Sequence, residues 1–135
     1  MTSRAFVDTN VFVYAVDDAE PAKQQVAREL LASLDPVIST QVVGEFYVVA
    51  SRELGGGRRN EDARARAARL LDLEVLAIDG DLVARALEGS VAWDLSYWDA
   101  LIVCTAQAAG CSRLLTEDLA DGRTYGTVTV ENPFR

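Results

Sequence analysis

Short apolar segments alternate with longer amphipathic segments along the chain, and polar residues, Gly or Pro mark most of the boundaries between them. A short apolar run bounded in this way predicts a buried strand, whereas apolar positions that recur every three or four residues predict a helix. The predicted strands cover residues 4–7, 37–38, 74–78, 113–115 and, as a fifth, 128–130.

The amphipathic segments predict helices with recognisable starts and stops. Pro21 suits the first turn of a helix, because its missing N–H would have no partner there in any case, and Ser39 or Thr40 can cap the next helix. Glycines at 55–57 and at 110 end two of the helices. The predicted helices cover residues 21–34, 41–54, 60–71, 81–88 and 97–109, and the apolar run 11–16 has no assignment.

This alternation of strands and helices predicts an α/β fold. Parallel strands joined by helices need right-handed crossovers, which cover both faces of the sheet. The chain has no internal repeat, linker or low-complexity segment. We therefore expect a single domain over residues 1–135, with a three-layer α/β/α arrangement around a central parallel sheet of four to five short strands.

Composition limits the chemistry that the chain can perform. The 135 residues are 50% hydrophobic, which suffices for a core without disulfides or structural metals. Cys104 and Cys111 lie in an apolar stretch and are expected in that core. Because the chain has no histidine, it can form no His-containing triad and no His-ligated zinc site. Catalysis would have to come from carboxylates, hydroxyls, arginine or a cation held by oxygen.

Charge limits the partners. The net charge of −8 argues against simple electrostatic attraction to DNA or to an anionic membrane. No hydrophobic signal region can develop before Asp8, and the longest uncharged run, 100–112, is too short to span a bilayer. We therefore expect a cytoplasmic protein with no membrane partner.

Two aspartates follow predicted strands at the edge of the sheet where ligands bind in such folds. Asp8 follows the first strand and Asp118 follows the fourth, so both would lie along the carboxyl edge. Asp is also common in turns, and either residue taken alone fits that structural role.

Two further acids interrupt apolar helices. No residue three or four positions from Glu45 can pair its charge, and Asp99 lies in a helix with almost no polar face. A salt bridge to an arginine would explain Glu45 structurally, and a capping box with Ser96 would explain Asp99.

Bringing these carboxylates together in one cleft costs about 4 kcal/mol for two charges about 4 Å apart, at an effective dielectric of about 20. Protonation or a bound divalent cation would offset that repulsion, and Mg²⁺ or Mn²⁺ suits oxygen ligands. Such a site can activate water and neutralise charge on a phosphate, as it does in many nucleases.

Four segments resemble the acidic motifs of PIN domains, in the order and spacing of that family and across nearly the whole chain. They are Phe6-Val7-Asp8-Thr9-Asn10, Glu45-Phe46-Tyr47, Tyr97 through Ile102, and Leu114 through Leu119. The chain is most similar to the VapC-type toxins of bacterial toxin–antitoxin pairs, and its segment from Gly126 through Phe134 also resembles theirs.

The resemblance implies a Mg²⁺- or Mn²⁺-dependent endoribonuclease that hydrolyses RNA phosphodiester bonds with metal-activated water. The implied catalytic and metal-binding acids are Asp8, Glu45, Asp99 and Asp118, with Asn10 and Thr116 as polar support. Glu117 and Asp121 lie close enough in sequence to share the role given to Asp118. An antitoxin partner, a homodimer and higher toxin–antitoxin assemblies are implied as well.

A positive segment accompanies these acids. Residues 52–69 contain six arginines and three acids, and the arginine fork matches the geometry of phosphate. We expect Arg58 and Arg59 to contact RNA or a protein partner. The structural alternative is a solvated helix face with an Asp62–Arg66 pair.

Other small acidic α/β proteins fit less well. A phospho-receiver domain needs a lysine at the far end of the sheet, but the single lysine of this chain is Lys23. A haloacid-dehalogenase-like phosphatase needs a second Asp two residues after the first, where this chain has Asn10. The remaining alternative is a catalytically quiet PIN-like binding module, whose acidic pocket holds a regulatory cation or a basic partner peptide.

Overall fold

The structure, a computed structural model, describes residues 3–53 and 58–135, and within these ranges the side chains of all residues but 53 and 58–60. These ranges contain six strands and six helices. In chain order the elements are β1 (Ser3–Val7), α1 (Thr9–Ala15), α2 (Pro21–Ser33), β2 (Leu34–Ser39), α3 (Thr40–Glu53), α4 (Arg58–Leu70), β3 (Glu74–Leu76), α5 (Gly80–Trp93), α6 (Tyr97–Ala108), β4 (Arg113–Leu115), β5 (Thr124–Tyr125) and β6 (Val128–Glu131).

All six strands belong to one sheet, in the order β3-β2-β1-β4-β6-β5. Every neighbouring pair is parallel except β5 and β6, which are antiparallel. In the centre, Phe6 of β1 lies beside Val37 of β2 and Leu114 of β4. The predicted α/β fold with a central parallel sheet is therefore confirmed, with one strand more than expected.

The additional strand is β5, which has only two residues. It pairs with β6 across a tight turn at Gly126, whose φ of +61° lies in the left-handed region that glycine adopts readily. A two-residue strand has too few positions to show any alternation of apolar and polar residues, so the sequence pattern did not reveal it.

The core lies between the sheet and the helices that cover it. The central strands contribute Phe6, Val7, Ile38, Leu114 and Leu115, all of which are almost completely buried. α6 is buried continuously from Ala100 to Ala106, which explains its nearly uniform apolar sequence. Both cysteines are free and buried, as expected. None of the helices in the described ranges has the length and apolar character needed to cross a membrane.

Two helices differ from the sequence-based expectation. The apolar run 11–16 forms most of α1, which begins directly after its cap, Asp8. α5 continues to Trp93 instead of ending at residue 88. Gly89 is therefore an interior position of α5 and not its end. A Cβ added at Gly89 would lie 2.6 Å from the ring of Trp93. The glycine leaves room for the indole against its own helix.

Candidate active site

Asp8 is a buried carboxylate, 7% exposed, at the carboxyl end of the central strand β1. Its amide donates a hydrogen bond to the carbonyl of Leu115 on β4, at 2.9 Å. Its Oδ1 accepts from the amide of Thr9 at 2.7 Å and caps α1. Its Oδ2 accepts from the hydroxyl of Thr116 at 2.8 Å. Both carboxylate oxygens are therefore fixed in place by neighbouring chain segments.

The hydroxyl of Thr116 links the ends of β1 and β4. It donates to Asp8 and accepts from the side-chain amide of Asn10 at 3.4 Å and from the backbone amide of Asp118 at 3.1 Å. Asn10 also donates to Oδ2 of Asp118 at 3.2 Å. A hydroxyl offers one donor and two acceptor positions, and all three are used here. Asn10 and Thr116 thus hold the loop that carries Asp118 beside Asp8.

Glu45 and Asp99 reach the same region from two helices. Glu45 is an exposed residue of α3, and its Oε1 accepts a 2.6 Å hydrogen bond from Gln41, one turn earlier. Asp99 lies in the first turn of α6, where its amide donates to the cap Ser96 at 3.1 Å, which is half of the expected capping box. No arginine among the described side chains forms an ion pair with Glu45.

The pKa values of Asp8, Glu45 and Asp99 are raised by burial and by the charges of neighbouring acids. Burial raises the pKa of the Asp8 carboxyl to about 6, against the hydrogen bonds from Thr116 and the Thr9 amide, and the charges of Asp118 and Glu45 add to the rise. The pKa of Glu45 is raised by partial burial and by Asp118 and Asp99. Burial and then Asp118 raise the pKa of Asp99. Acids that are 91 residues apart in sequence thus share one electrostatic environment.

A cleft of about 320 Å³ opens at this position. Its lining comprises Thr9, Asn10, Val13, Tyr14, Asp17, Glu45, Val49 and Asp118. Asp8 and Asp99 are not part of the lining, but both interact electrostatically with Asp118. The buried Oγ1 of Thr9 has no hydrogen-bond partner. An unsatisfied buried hydroxyl is costly, so a polar group bound in the cleft would be stabilised here.

Comparison with known proteins identifies the fold family. A sequence model of the PIN domain family matches residues 5–121. The chain belongs to the PIN domain family. No curated protein matches the sequence.

Several solved toxin structures are similar to this PIN domain. A toxin–antitoxin complex from Klebsiella pneumoniae matches with a TM-score of 0.72 and 21% identity, over 96% of this chain and 98% of the other. VapC20 of Mycobacterium tuberculosis, a sarcin-ricin loop cleaving toxin, matches with a TM-score of 0.68 and 28% identity, over 83% and 87%. FitAcB from Neisseria gonorrhoeae matches with a TM-score of 0.71 and 20% identity, over 96% and 97%.

The structure separates Asp118 of this PIN domain from the two nearby acids. Glu117 accepts hydrogen bonds from Tyr14 at 2.6 Å and Lys23 at 2.7 Å. Burial alone would raise the pKa of Glu117, but these two contacts bring it below its ordinary value. Asp121 accepts from the Asn132 amide at 2.7 Å and pairs with Arg135, and both contacts lower its pKa. Of the three, only Asp118 lines the cleft.

The carboxylates supply hard oxygen donors only. Among the described side chains, no three His, Cys, Asp or Glu residues lie close enough together to hold a metal ion as a group. Mg²⁺ commonly uses one or two carboxylates and keeps several waters, so it does not require such a group. The mutual repulsion of the acids and the unpaired Thr9 hydroxyl both fit a hydrated divalent cation in the cleft.

Sequence reasoning missed five residues of the cleft wall: Thr9, Val13, Tyr14, Asp17 and Val49. Tyr14 lies four positions after Asn10, which is the spacing of one helix face, so assigning the run 11–16 as a helix would have revealed it. Asp17 lies two residues beyond the end of α1. Arg58 and Arg59 begin α4, but their side chains lie outside the described part of the structure, and their expected contacts stay a prediction.

Proposed function

We propose that this PIN domain is a Mg²⁺- or Mn²⁺-dependent endoribonuclease and the toxin of a toxin–antitoxin pair. The observation that carries the proposal is the convergence of Asp8, Glu45, Asp99 and Asp118. Burial, and after it the charges of the neighbouring acids, raise the pKa values of the first three. Charged groups that destabilise one another persist where a ligand or a reaction needs them. The 28% identity to VapC20, a sarcin-ricin loop cleaving toxin, supports RNA as the substrate.

The same four acids, from the ends of β1 and β4 and from α3 and α6, would bind the cation, one or two of them directly and the others through its water shell. When bound, it would neutralise charge on the phosphate and activate water for attack. The protein's own contribution is orientation. Thr116 and the Thr9 amide fix the Asp8 carboxylate, Asn10 positions Asp118, and Gln41 holds Glu45. Because these contacts exist before a ligand binds, little reorganisation is needed during the reaction.

The proposal extends to partners and location. Solved structures similar to this chain include toxin–antitoxin complexes, which supports a protein antitoxin that covers the cleft. A homodimer, higher assemblies with the antitoxin, a single domain over the whole chain and a cytoplasmic location belong to the same proposal.

Cleavage of a structured RNA pool by the purified protein tests the activity. We expect products with Mg²⁺ or Mn²⁺ and none with EDTA. Asp8→Asn, Asp99→Asn and Asp118→Asn should each lower the rate by about 100-fold or more, since each removes a negative charge that would hold the cation, and the cation would stabilise the transition state by several kcal/mol.

Glu117→Gln is the matched control for Asp118→Asn. It neutralises the adjacent acid, which bonds to Tyr14 and Lys23 and does not line the cleft, so most of the activity should remain. Identical products from the wild type and all four variants would identify a contaminating nuclease and refute the proposal. RNA binding without cleavage in Mg²⁺, in Mn²⁺ and in EDTA would favour the alternative, a PIN-like binding module without catalytic activity.

A further inference from the structure

Most cationic side chains in the described part of this PIN domain have a partner. Five form ion pairs with acids, Arg28 donates to a backbone carbonyl, and Arg123 lies over the ring of Tyr125. Four exposed arginines have no hydrogen bond or ion pair with any described side chain: Arg52, Arg66, Arg69 and Arg85. The first three lie on the consecutive helices α3 and α4, which pack against each other.

Arg52 borders a hollow that adjoins the acidic cleft. This hollow of about 440 Å³ is lined by Gly44, Glu45, Val48, Val49 and Arg52. Glu45 and Val49 also line the cleft, so the two depressions share a wall. Arg52 lies seven residues after Glu45, on the same helix face and about 10 Å further along the axis. A strand that leaves the cleft along α3 would pass over Arg52.

Arg66 and Arg69 border a second hollow, of about 230 Å³, between α1, α3 and α4. Phe12, Phe46 and Leu70 contribute apolar surface to it. The Asp62–Arg66 pair that would make this an ordinary solvated helix face does not form, and the ion pair on α4 joins Arg64 to Glu61 instead. Two unneutralised guanidinium groups at one hollow can bind a phosphate.

We infer that the exposed arginines of α3 and α4, with Arg52 beside the cleft and Arg66 and Arg69 at a separate hollow, provide a phosphate-binding surface for the single-stranded part of an RNA whose cleaved bond lies in the acidic cleft. The inference rests on the proposed function. A chain with a net charge of −8 and an acidic cleft must gain its affinity for RNA outside that cleft. An acidic peptide fits less well, because Glu45 and Asp118 would repel it where the hollow joins the cleft.

The salt dependence of RNA binding tests the surface. We compare Arg52→Gln, Arg66→Gln, Arg69→Gln and the triple variant with Arg85→Gln, which removes an equally unpaired arginine on α5 that does not line the cleft or either hollow. The probe is a fluorescein-labelled single-stranded RNA in EDTA, followed by anisotropy over a NaCl series. Each lost phosphate contact should reduce the slope of log K against log [salt] by about 0.7, so the triple variant should lose about 2.

Cleavage kinetics give a second measurement on the same proteins. With Mg²⁺, the variants of Arg52, Arg66 and Arg69 should raise KM and leave kcat unchanged, because they remove binding that is equal in the ground and transition states. Arg85→Gln should match the wild type in both measurements. If Arg52 only stabilised the end of α3, its replacement would lower the melting temperature without changing the salt slope, and this result would exclude it from the surface.

If the triple variant and Arg85→Gln have the same slope of log K against log [salt], the inference is overturned. So would an unchanged RNA slope together with weaker binding of a labelled oligoglutamate peptide, which would assign the surface to an acidic protein segment. The same experiments test the proposed nuclease activity separately. If the wild type cleaves no RNA but the triple variant still has a smaller salt slope, the protein has an RNA-binding surface and no nuclease activity.

Discussion

The Asp8 carboxyl makes the stability of the protein depend on pH. Its pKa is about 6 in the fold, against an ordinary value of 3.8. Because the pKa is higher in the fold, the folded protein binds this proton more tightly than the unfolded chain does. The stabilisation that results is fully present at pH values below the ordinary pKa. It is lost as the pH rises through about 6 and amounts to about 3 kcal/mol in total.

Asp8→Asn removes this titration. In EDTA, raising the pH from about 4 to 8 should cost the wild type about 3 kcal/mol of unfolding free energy that the variant does not lose. Urea denaturation at several pH values measures it. The control Asp72→Asn changes an exposed acid between α4 and β3 and should show no such shift. Parallel pH profiles for the wild type and Asp8→Asn would contradict the buried, raised-pKa carboxyl.

Single residues of the site were predictable to different degrees. Asp8, Glu45, Asp99 and Asp118 stood out because each is an acid at a strand end or within an apolar helix, which are local features of the sequence. The partners of Glu117 were not predictable, since Lys23 lies 94 positions away and only the fold brings the two together. The sequence therefore favoured Asp118 but left open whether Glu117 or Asp121 shares its role, and the hydrogen bonds distinguish the three acids.

Two glycines within helices should respond in opposite ways to replacement by alanine. Gly89→Ala in α5 places a Cβ 2.6 Å from the Trp93 ring, which is itself packed edge-on against Tyr125 with ring centroids 5.6 Å apart. Overpacking of this kind costs about 1–3 kcal/mol. That exceeds the gain of about 1 kcal/mol in helix propensity, so the variant should be less stable than the wild type.

Gly44→Ala in α3 is the matched control. A Cβ at Gly44 would have no heavy atom within 4 Å, so only the helix propensity remains and stability should rise by up to about 1 kcal/mol. Thermal unfolding followed by circular dichroism compares the two variants with the wild type. A stabilising effect of Gly89→Ala would show that the indole can move away from α5.

Elements were predicted best where their pattern is long and self-contained. The helix 21–34 and the strand 113–115 agree closely with α2 and β4. α1 was missed because its seven residues include two valines and a phenylalanine that also suit a strand. The length of α5 was underestimated because Gly89 has the local signature of a helix end, and only the packing of Trp93 explains its interior position.

A bound cation should stabilise the whole molecule. If Mn²⁺ binds the native cleft and not the unfolded chain, a concentration 100 times its Kd adds about 2.7 kcal/mol to the unfolding free energy. The melting temperature should therefore rise with millimolar Mn²⁺ and return to its starting value on addition of EDTA. The increase should be smaller in Asp118→Asn and unchanged in Glu117→Gln. An equal increase in all three proteins would place the cation outside the cleft.

The order of strands in the sheet also determines when the site can exist. β1, near one end of the chain, has β2 on one side and β4 on the other, and the hydroxyl that holds Asp8 comes from a residue 108 positions later. During synthesis, Asp8, Glu45 and Asp99 are all made before β4 and Thr116, and until then Asp8 lacks its hydroxyl donor. The carboxylate cluster is therefore completed only after nearly the whole domain has been translated.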